Sequence, residues 1–451
     1  MRFPEKPPAF WPTVVELLKD PDRHEILMGT QPTLPDGRYL HWNELRFREP
    51  PAGLTVHEWW AAQRWARTQK RTPIDAMNRV YSYPLDFSFV ALPRMQESLH
   101  DFDRTNVARV LLSALGNDDA VAEYRVRQLI EEAISSSVLE GARPTTRELA
   151  RQLVRERRPP TSRDERMILN NWYALKRIIE LRNEDRPLVV DDVLELHRIL
   201  GDGALDVPDA AGHLRGPEHN VVVQDIEGNV WHVPPPADGL RGRLESLVKF
   251  AEDGSVDDDR NAFIHPVVRA IVVHFWIGFE HPFRDGNGRI ARALYYWCML
   301  RHGYEMAEFL SISGPIDRSP KAYYMAFAHT ETDGGDLTYF ILHQLNVMRE
   351  ALTELTEHLK ERASRMSKLA RTVDGFDTLN HRQRAILQHA IRHPSQSYTI
   401  EGHAESHRVH YQTARNDFVD LEKRGYFESR RVGNTKRFYS SESLTQKLEA
   451  P

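Results

Sequence analysis

A polar stretch, residues 281–292 (HPFRDGNGRIAR), separates two apolar segments and constrains this chain more than any other part of it. The segment before it reads AIVVHFWIGF (residues 270–279), and the segment after it reads ALYYWCML (residues 293–300). Such runs suit helices that are buried in a protein core. The sequence therefore predicts two buried helices joined through a segment that is rich in charge and in glycine.

The glycines of this stretch predict a site for an anion. Gly286 and Gly288 let the backbone turn tightly at the start of the second helix, whose first N–H groups have no partners within the helix. These N–H groups and Asn287 suit a phosphate. Arg289 and Arg292 are three residues apart, so their guanidinium groups can bind phosphate oxygens from one side.

Two more side chains predict chemistry beside that phosphate. Asp285 supplies a hard carboxylate oxygen, which Mg²⁺ binds together with phosphates. His281 has an ordinary pKa near neutrality and can accept a proton. A base, a metal ligand and a phosphate site together favour the transfer of a nucleotide phosphate group.

The stretch resembles the signature of the Fic (filamentation induced by cAMP) family, H-x-F-x-[DE]-G-N-G-R-x-x-R, and matches every fixed position. The resemblance extends over roughly residues 95–369. It implies transfer of AMP from ATP to a hydroxyl side chain of a target protein or of the chain itself. His281 would be the general base, and Asp285 would hold Mg²⁺ between phosphates. The residues that would bind ATP are Gly286, Asn287, Gly288, Arg289 and Arg292. The related Doc kinases carry lysine where this chain has Gly288, which favours nucleotidyl transfer over phosphorylation.

A predicted β-hairpin lies upstream, where residues 220–224 (NVVVQ) and 230–233 (VWHV) flank a turn, DIEGN. It resembles the Fic flap, which pairs by its backbone with the target segment. Residues 212–215 (GHLR) resemble the G-x-x-R that precedes the flap in this family. The residues expected to dock the target are Val221, Val222, Val223, Val230 and Trp231. The alternative is a hairpin that only closes a loop.

A second motif, residues 135–141 (SSSVLEG), predicts an inhibitory helix end. Ser136 and Glu140 share one helix face, and Gly141 is a candidate C-cap. A glutamate at a helix C-terminus is unfavourable for the helix dipole and predicts a partner elsewhere. The motif resembles the inhibitory [ST]-x-x-x-E-[GN] of the family, whose glutamate pairs with the second signature arginine, here Arg292. That arrangement implies a class II Fic protein. In some relatives this glutamate helps to hydrolyse AMP from modified targets, so an AMP-removing hydrolase is an alternative.

The C-terminal part is basic: residues 380–448 carry twelve Lys and Arg against seven Asp and Glu, whereas the whole chain has a net charge of −5. Its predicted helices are 380–393, 400–405 and 410–424, and its predicted strands are 426–431 and 436–439. This order resembles a winged helix-turn-helix, whose third helix and wing contact DNA. The residues expected at DNA are Tyr411, Gln412, Thr413, Arg415, Asn416, Arg430, Arg431, Lys436 and Arg437. Contact with protein, or dimerisation, is the alternative.

Composition sets the class of protein. Hydrophobic residues make up 41% and charged residues 28%, as in soluble globular proteins. A single cysteine, Cys298, and the lack of an apolar signal core at the start favour a cytoplasmic protein with no membrane partner. We predict a mainly α fold with a Fic helical bundle and a β-hairpin flap. The expected domains are an accessory domain (1–95), a Fic domain (96–372, with an inhibitory helix at about 119–141 and a flap at about 220–233) and a winged helix-turn-helix domain (373–451).

Two further expectations concern assembly and local structure. A long helix is predicted from an N-cap at Asp336 to about residue 369, with an apolar stripe of Leu345, Met348, Leu352, Leu355 and Leu359. The stripe suits either its own domain or a partner helix, and family members often form homodimers. Residues 38–48 are expected to be extended, and residues 86–92 to be a connector. A DNA-binding regulator whose Fic site only senses nucleotide is the last alternative.

Overall fold

The structure, a computed structural model, describes residues 3–81, 85–105, 110–111, 118–143, 147–156, 158–224, 227–252, 263–393, 396–432, 435–441 and 443–449. The chain divides into two compact units. The first, here the N-terminal unit, comprises Met1–Thr105 and Gln128–Ala351. The second, the C-terminal unit, comprises Asn106–Arg127 and Leu352–Pro451. The boundaries that the sequence predicts between three domains stay a prediction.

Helices dominate the chain up to residue 374. They are α1 Trp11–Lys19, α2 Pro21–Gly29, α3 Trp42–Leu45, α4 Val56–Lys70, α5 Asp75–Asn78, α6 Pro93–Arg104, α7 Asp118–Leu139, α8 Arg147–Arg155, α9 Arg163–Asn183, α10 Val190–Gly201, α11 Leu240–Glu252, α12 Pro266–Glu280, α13 Asn287–Arg301, α14 Ser313–Arg318, α15 Pro320–Thr332 and α16 Thr338–Asp374. Short 3₁₀ helices lie at Pro208–Ala210 and Glu305–Phe309. The mainly helical fold class is therefore confirmed. Among the described helices, none combines the length and the apolar character that a transmembrane span requires.

Two small antiparallel sheets accompany these helices. Strands β1 (Arg71–Pro73) and β2 (Ser88–Val90) form one, and β3 (Val223–Gln224) and β4 (Val230–His232) form the other. The second pair lies where the hairpin was predicted, with shorter strands. Residues 225 and 226 of its predicted turn lie outside the described residues.

The buried centre of the N-terminal unit is the pair of helices α12 and α13, which flank the polar stretch. Helix α12 is mostly apolar and is buried on nearly all sides, and Val272, Phe275 and Trp276 are fully buried. A helix with so little polar surface belongs in a core. Both helices had been predicted, at 266–279 and 288–303. Consequently the polar stretch is anchored at each end in a rigid element.

The first hundred residues differ most from the expectations. Residues 38–48 contain the short helix α3, and residues 86–92 contain the strand β2. Helix α2 had not been predicted; the Asp20 side chain accepts hydrogen bonds from the N–H groups of Asp22 and Arg23 and so caps it. Four of the five tryptophans of this region contribute to an apolar core, whereas Trp11 is 53% exposed. Apolar periodicity also predicts helices at 103–115 and 145–157. They fall partly on residues 106–109, 112–117, 144–146 and 157, which lie outside the described part.

The long helix α16 begins two residues after the predicted cap. The Asp336 carboxylate accepts a hydrogen bond from the N–H of Thr338, and the helix starts there. Of its apolar stripe, four residues are buried in this single chain, and Leu352 is half-buried. The four buried residues are Leu345, Met348, Leu355 and Leu359. Packing within the chain therefore accounts for most of the stripe.

The C-terminal unit has its own core beneath a three-stranded sheet of order β5–β7–β6. Its further elements are α17 His381–Arg392, β5 Ser397–Tyr398, α18 Ile400–His407, α19 Tyr411–Lys423, β6 Phe427–Val432, β7 Thr435–Ser440 and α20 Leu444–Glu449. The helices and the two long strands match the predicted order, while β5 and α20 had not been predicted. Leu387, Phe418, Phe427 and Phe438 are almost completely buried in the core.

A buried carboxylate, Asp417, holds the start of α17 against α19. It accepts hydrogen bonds from Asn380 (2.8 Å), from Arg382 (2.8 and 3.1 Å) and from His403 (3.2 Å). Only 4% of Asp417 is exposed. Because buried charges need partners, this network constrains how the helices of the C-terminal unit pack.

We predict that Asp417→Ala lowers the free energy of unfolding of the C-terminal unit by about 3 kcal/mol, because it leaves Arg382 without its partner. All nine tryptophans lie in the N-terminal unit, so circular dichroism, rather than tryptophan fluorescence, detects the change during urea unfolding. Asp420→Ala, at a half-exposed position on the same helix, should cost less than about 1 kcal/mol. Equal effects of the two substitutions would contradict this role of Asp417.

Candidate active site

The polar stretch is a sharp turn between α12 and α13, and two left-handed residues shape it. His281 follows the last residue of α12 with φ 47°, and Gly286 precedes α13 with φ 80°. Glycine adopts this conformation at no cost, whereas a histidine in it is strained. The turn therefore holds His281 in a conformation that its surroundings must impose.

Arg215 supplies part of that constraint. Its guanidinium donates to the carbonyl oxygens of His281 (2.8 Å) and Glu280 (3.1 Å), and its backbone N–H donates to Pro282 (3.0 Å). Carbonyls at a helix C-terminus lack partners within the helix, so Arg215 satisfies groups that would otherwise be orphaned. It also donates to Pro235, just after β4. The arginine of the G-x-x-R motif thus ties the hairpin to the turn.

A second constraint involves residues that the sequence analysis missed. The Glu280 carboxylate is fully buried; Arg243 donates to it at 2.7 Å, and the hydroxyl of Tyr81 donates to it as well. Trp276 in turn donates to the Tyr81 oxygen at 2.9 Å. Tyr81 belongs to the first hundred residues, whose role the sequence left open. The segment around Tyr81 therefore helps to fix the residue next to His281.

His197, also missed, fixes the other side of the turn. Its Nδ1 accepts from the N–H of Gly212 (3.0 Å), so Nε2 carries the proton and donates to the Asp285 carbonyl (2.9 Å). Its ring stacks on the buried ring of Phe283 with centroids 3.6 Å apart. Burial lowers the pKa of His197 to about 4, so the ring stays neutral. A histidine on the apolar face of α10 was the only sign of this in the sequence.

His281 is poised to accept a proton. Its Nδ1 lies 3.3 Å from the Gly278 carbonyl, which can only accept, so Nδ1 holds the proton and Nε2 keeps its lone pair. Burial, and then the neighbouring His232, lower the pKa of His281 to about 4. The imidazole is therefore neutral at pH 7, which a general base requires.

The residues expected to bind phosphate gather at the start of α13. Both polar atoms of the Asn287 side chain bond to the backbone of Phe283 at 2.9 Å, which fixes the turn and leaves one amide N–H over. Arg289 is 1% exposed and donates to the Leu200 carbonyl at 3.0 Å. Among the described residues, its Nε has no hydrogen-bond partner. Arg289 therefore contributes positive charge from below the surface.

Arg292 is engaged by the predicted inhibitory motif. Its Nε donates to the Ser136 hydroxyl (2.8 Å), and its Nη2 donates to the Ser136 carbonyl (3.0 Å) and to the Glu140 carboxylate (2.8 Å). Burial alone would raise the pKa of Glu140, but the charge of Arg292 lowers it. Gly141 ends the helix with φ 92°. The structure thus brings Ser136, Glu140 and Arg292 into direct contact.

Gly288 lies directly under Glu140. A β-carbon at residue 288 would be 2.1 Å from Oε1 of Glu140, far closer than any real contact. The absence of a side chain at Gly288 therefore lets the carboxylate approach the end of the helix.

A cavity of about 160 Å³ opens beside His281 and Glu140. The hairpin borders it through Val223, Trp231 and His232, and α15 borders it through Tyr323 and Tyr324. The two ring nitrogens of His232 are hydrogen-bonded to the Glu331 carboxylate (2.7 Å) and to the Phe279 carbonyl (2.6 Å). Val222 and Val230 are 36% and 48% exposed, and Val221 precedes the strand. The two tyrosines had not been predicted.

Asp285 fits one ligand of a divalent cation. Its carboxylate accepts from the N–H groups of Gly286 (2.6 Å) and Asp206 (3.1 Å), and its side chain is 27% exposed. Among the described residues no group of three or more His, Cys, Asp or Glu could hold a metal. A hard oxygen with spare lone pairs suits Mg²⁺ that takes its other ligands from phosphates and water.

The residues expected at DNA lie on two elements of the C-terminal unit. Helix α19 exposes four of them, and Thr413 is half-buried. The four exposed residues are Tyr411, Gln412, Arg415 and Asn416. Strands β6 and β7 expose Arg430, Arg431, Lys436 and Arg437, with Lys436 paired to Glu422 at 3.2 Å. Residues 433 and 434, at the predicted tip of the wing, lie outside the described residues.

We predict that His281 makes the protein less stable in acid. The unfolded histidine takes up a proton near pH 6.5, whereas the folded one does so only near pH 4, so stability falls as pH drops through that window. Between pH 7 and pH 5, His281→Gln should gain up to about 2 kcal/mol relative to the wild type, in urea unfolding followed by tryptophan fluorescence. Parallel stability curves for the two proteins would show that His281 is not held neutral.

Comparison with known proteins identifies the segment that contains this site. Residues 187–299 match the model of the Fic/DOC family. The chain is 31% identical over 162 residues to protein adenylyltransferase fic-1 of Caenorhabditis elegans, a match that covers 36% of this chain and 27% of that protein. It is 31% identical over 125 residues to protein adenylyltransferase Fic of Nematostella vectensis, covering 28% of this chain and 26% of the relative. The similarity thus spans about a quarter of these relatives.

Solved structures of similar proteins were also found. One is a Fic family protein from Desulfovibrio desulfuricans (TM-score 0.49, 19% identity, 77% of this chain and 95% of that chain). Another is a fragment of Fic-1 from C. elegans (TM-score 0.43, 18% identity, 72% and 79%). By sequence, residues 187–299, which contain the turn, His281 and both arginines, are similar to the Fic/DOC family.

Proposed function

We propose that this chain is a class II protein adenylyltransferase that transfers AMP from ATP to a protein hydroxyl and is inhibited by its own Glu140. One observation carries the proposal: Glu140 pairs with Arg292 directly above Gly288, beside the neutral imidazole of His281. Relatives of residues 187–299 that are named protein adenylyltransferases support it.

The reaction follows from the donors and acceptors of the turn. The triphosphate would lie on the free N–H groups at the start of α13, with Arg289 and Arg292 balancing its charge. Nε2 of His281 would take the proton of the incoming hydroxyl, whose oxygen attacks the α-phosphorus. The bond from that phosphorus to the bridging oxygen breaks, and pyrophosphate leaves with the electron pair. Asp285 would hold Mg²⁺, which when bound neutralises charge on the phosphates.

The hairpin β3–β4 would present the target. The exposed Val222, just before β3, the exposed Val230 on β4 and Trp231 at the cavity suit an extended segment that adds to the hairpin by backbone hydrogen bonds. The modified side chain would then reach the cavity beside His281.

Inhibition has a direct electrostatic cause. Arg292 gives its Nε and Nη2 donors to Ser136 and Glu140, so these donors are not available to the end of the triphosphate. The Glu140 carboxylate is also negative, and it repels phosphate at close range in a poorly solvated site. ATP would therefore bind in an unproductive position until Glu140 leaves.

We predict that Glu140→Gly raises the transfer of AMP at least tenfold, because it removes both the charge and the bulk above Gly288. Glu140→Gln removes only the charge and should give a smaller rise. The measurement is incorporation of α-labelled ATP into the purified protein, with mass spectrometry of the modified residue. His281→Ala in the Glu140→Gly background should abolish the label.

No rise in either Glu140 variant would contradict the inhibitory role. Release of AMP from pre-modified protein by the wild type, and its loss in Glu140→Gln, would instead favour the AMP-removing hydrolase.

A second candidate function, DNA binding, rests on the C-terminal unit. The order α17–β5–α18–α19–β6–β7 is that of a winged helix-turn-helix, and the exposed residues of α19 and of β6–β7 include four arginines and a lysine. Helix α19 would enter the major groove, and the strands would contact phosphates. The pairs that Lys436 makes with Glu422, and Arg430 with Glu428, weaken this positive surface. Protein contact through the same surface is the competing proposal.

We predict that Arg430→Ala, on the strands, weakens binding to duplex DNA for all sequences and lowers the slope of log affinity against log salt by about 1, whereas Arg415→Ala, on α19, weakens binding mainly to preferred sequences. Fluorescence anisotropy of a labelled duplex at several salt concentrations, from about 50 to about 200 mM, measures the affinity and its dependence on salt. The control Arg384→Ala changes a half-buried arginine on α17 that bonds to the Asp374 carbonyl and lies outside the surface formed by α19 and β6–β7. Absence of binding at the lowest salt would exclude the DNA function.

A further inference from the structure

A buried carboxylate, Glu132, lies two turns before Glu140 on α7 and takes no part in the reaction proposed above. It is 2% exposed, although nothing in the predicted motif requires an acid there. Burying a carboxylate is costly unless several donors compensate it. The hydrogen-bond donors around Glu132 indicate its role.

Glu132 is bonded to the segment just before α14. Its Oε2 accepts from the Ser311 hydroxyl (2.7 Å) and from the N–H of Ser313 (3.0 Å), and its Oε1 accepts from the Ser313 hydroxyl (2.5 Å). Three donors converge on one carboxylate, and bonds to a charged acceptor are the strong ones. The Glu132 carboxylate therefore attaches α7 firmly to residues 311–313.

The same segment is bonded from the other side by α13. The Tyr296 hydroxyl accepts from the N–H of Ile312 (2.9 Å) and donates to the Leu310 carbonyl (3.1 Å). Tyr296 lies one turn after Arg292 on α13. Helices α7 and α13 are therefore linked twice: directly through Arg292, and indirectly through Tyr296, residues 310–313 and Glu132.

The two links act on one helix face. Glu132, Ser136 and Glu140 follow each other at intervals of four, so they project in nearly the same direction. Glu140 itself lies past the last helical residue, and its carboxylate is 25% exposed. Its hold on Arg292 therefore depends on how firmly the preceding two turns of α7 are fixed.

We propose that Glu132 is a second latch of the inhibitory helix, a positioning residue whose bonds to Ser311 and Ser313 keep Ser136 and Glu140 against Arg292. The inference rests on the proposed function and extends it to how the inhibitory contact between Glu140 and Arg292 is held and released. Opening of the 310–313 segment frees α7, and Glu140 then leaves Arg292. A partner or a nucleotide that disturbs this segment would activate the enzyme without touching Glu140.

The test is AMP transfer by four proteins: the wild type, Glu132→Gln, Glu140→Gly and the double variant. A glutamine keeps the size of the side chain but loses the charged acceptor for three donors. We expect Glu132→Gln to raise transfer about tenfold over the wild type. In the Glu140→Gly background, Glu132→Gln should alter transfer by less than about twofold, because the inhibitory carboxylate is already absent.

Two comparisons separate the latch from general damage to the fold. Ser313→Ala removes the hydroxyl that donates to Glu132 and should also raise transfer. This variant tests the latch if Glu132→Gln does not fold. Glu131→Gln changes the adjacent acid, which is ion-paired with Arg147 and Arg151 instead, and should leave transfer at the wild-type level. Hydrogen exchange of residues 128–141 should be faster in Glu132→Gln and Ser313→Ala only.

The outcomes are distinct. If Glu140→Gly is inactive, the proposed function itself fails. If Glu140→Gly is active while Glu132→Gln and Ser313→Ala equal the wild type, the latch is refuted. A fall of transfer caused by Glu132→Gln in both backgrounds would assign Glu132 to the stability of the fold and would overturn the latch equally.

Discussion

The buried guanidinium of Arg292 is the constraint on which the site depends. It is 2% exposed, and a cation at that depth requires partners. In this structure Ser136 and Glu140 are those partners. The phosphates of a nucleotide are the other anions that could satisfy it. In the proposed function, Glu140 and the nucleotide would compete for this one cation, and the balance between active and inhibited states would depend on which anion Arg292 pairs with.

The turn that carries His281 is fixed independently of the Glu140–Arg292 pair. Arg215, Glu280 and His197 fix its backbone, and the His281 imidazole keeps a free lone pair. Without a side chain at Gly288, the Glu140 carboxylate can approach the start of α13. In the proposed reaction His281 would need no rearrangement to act as the general base, and only the anion above α13 would change. Such a site is preorganised, which lowers the cost of reaching the transition state.

Local patterns revealed the elements that carry the site. The apolar periodicity predicts helices at 240–252, 266–279 and 288–303; the first coincides with α11, and the other two agree with α12 and α13 within two residues at each end. The signature residues were visible because their spacing is local. By contrast, Tyr81 meets Glu280 across 199 residues, and Glu132 meets Ser311 across 179. No periodicity reports such contacts. A lone tyrosine, or a glutamate in an amphipathic helix, looks the same whether it faces solvent or a buried serine. The short helix α3 and strand β2 were missed for a related reason, since packing and pairing with distant residues outweigh weak local propensity.

The most direct measurement is the crystal structure of Glu140→Gly soaked with magnesium ATP, beside the wild type soaked in the same way. The account predicts that the triphosphate of the variant lies on the N–H groups at the start of α13. Its last phosphate should contact Arg292, and its α-phosphorus should be within reach of a hydroxyl held by His281. In the wild type the Glu140–Arg292 pair should persist and displace that phosphate. A nucleotide bound away from this turn, or an identical phosphate position in both proteins, would contradict the account.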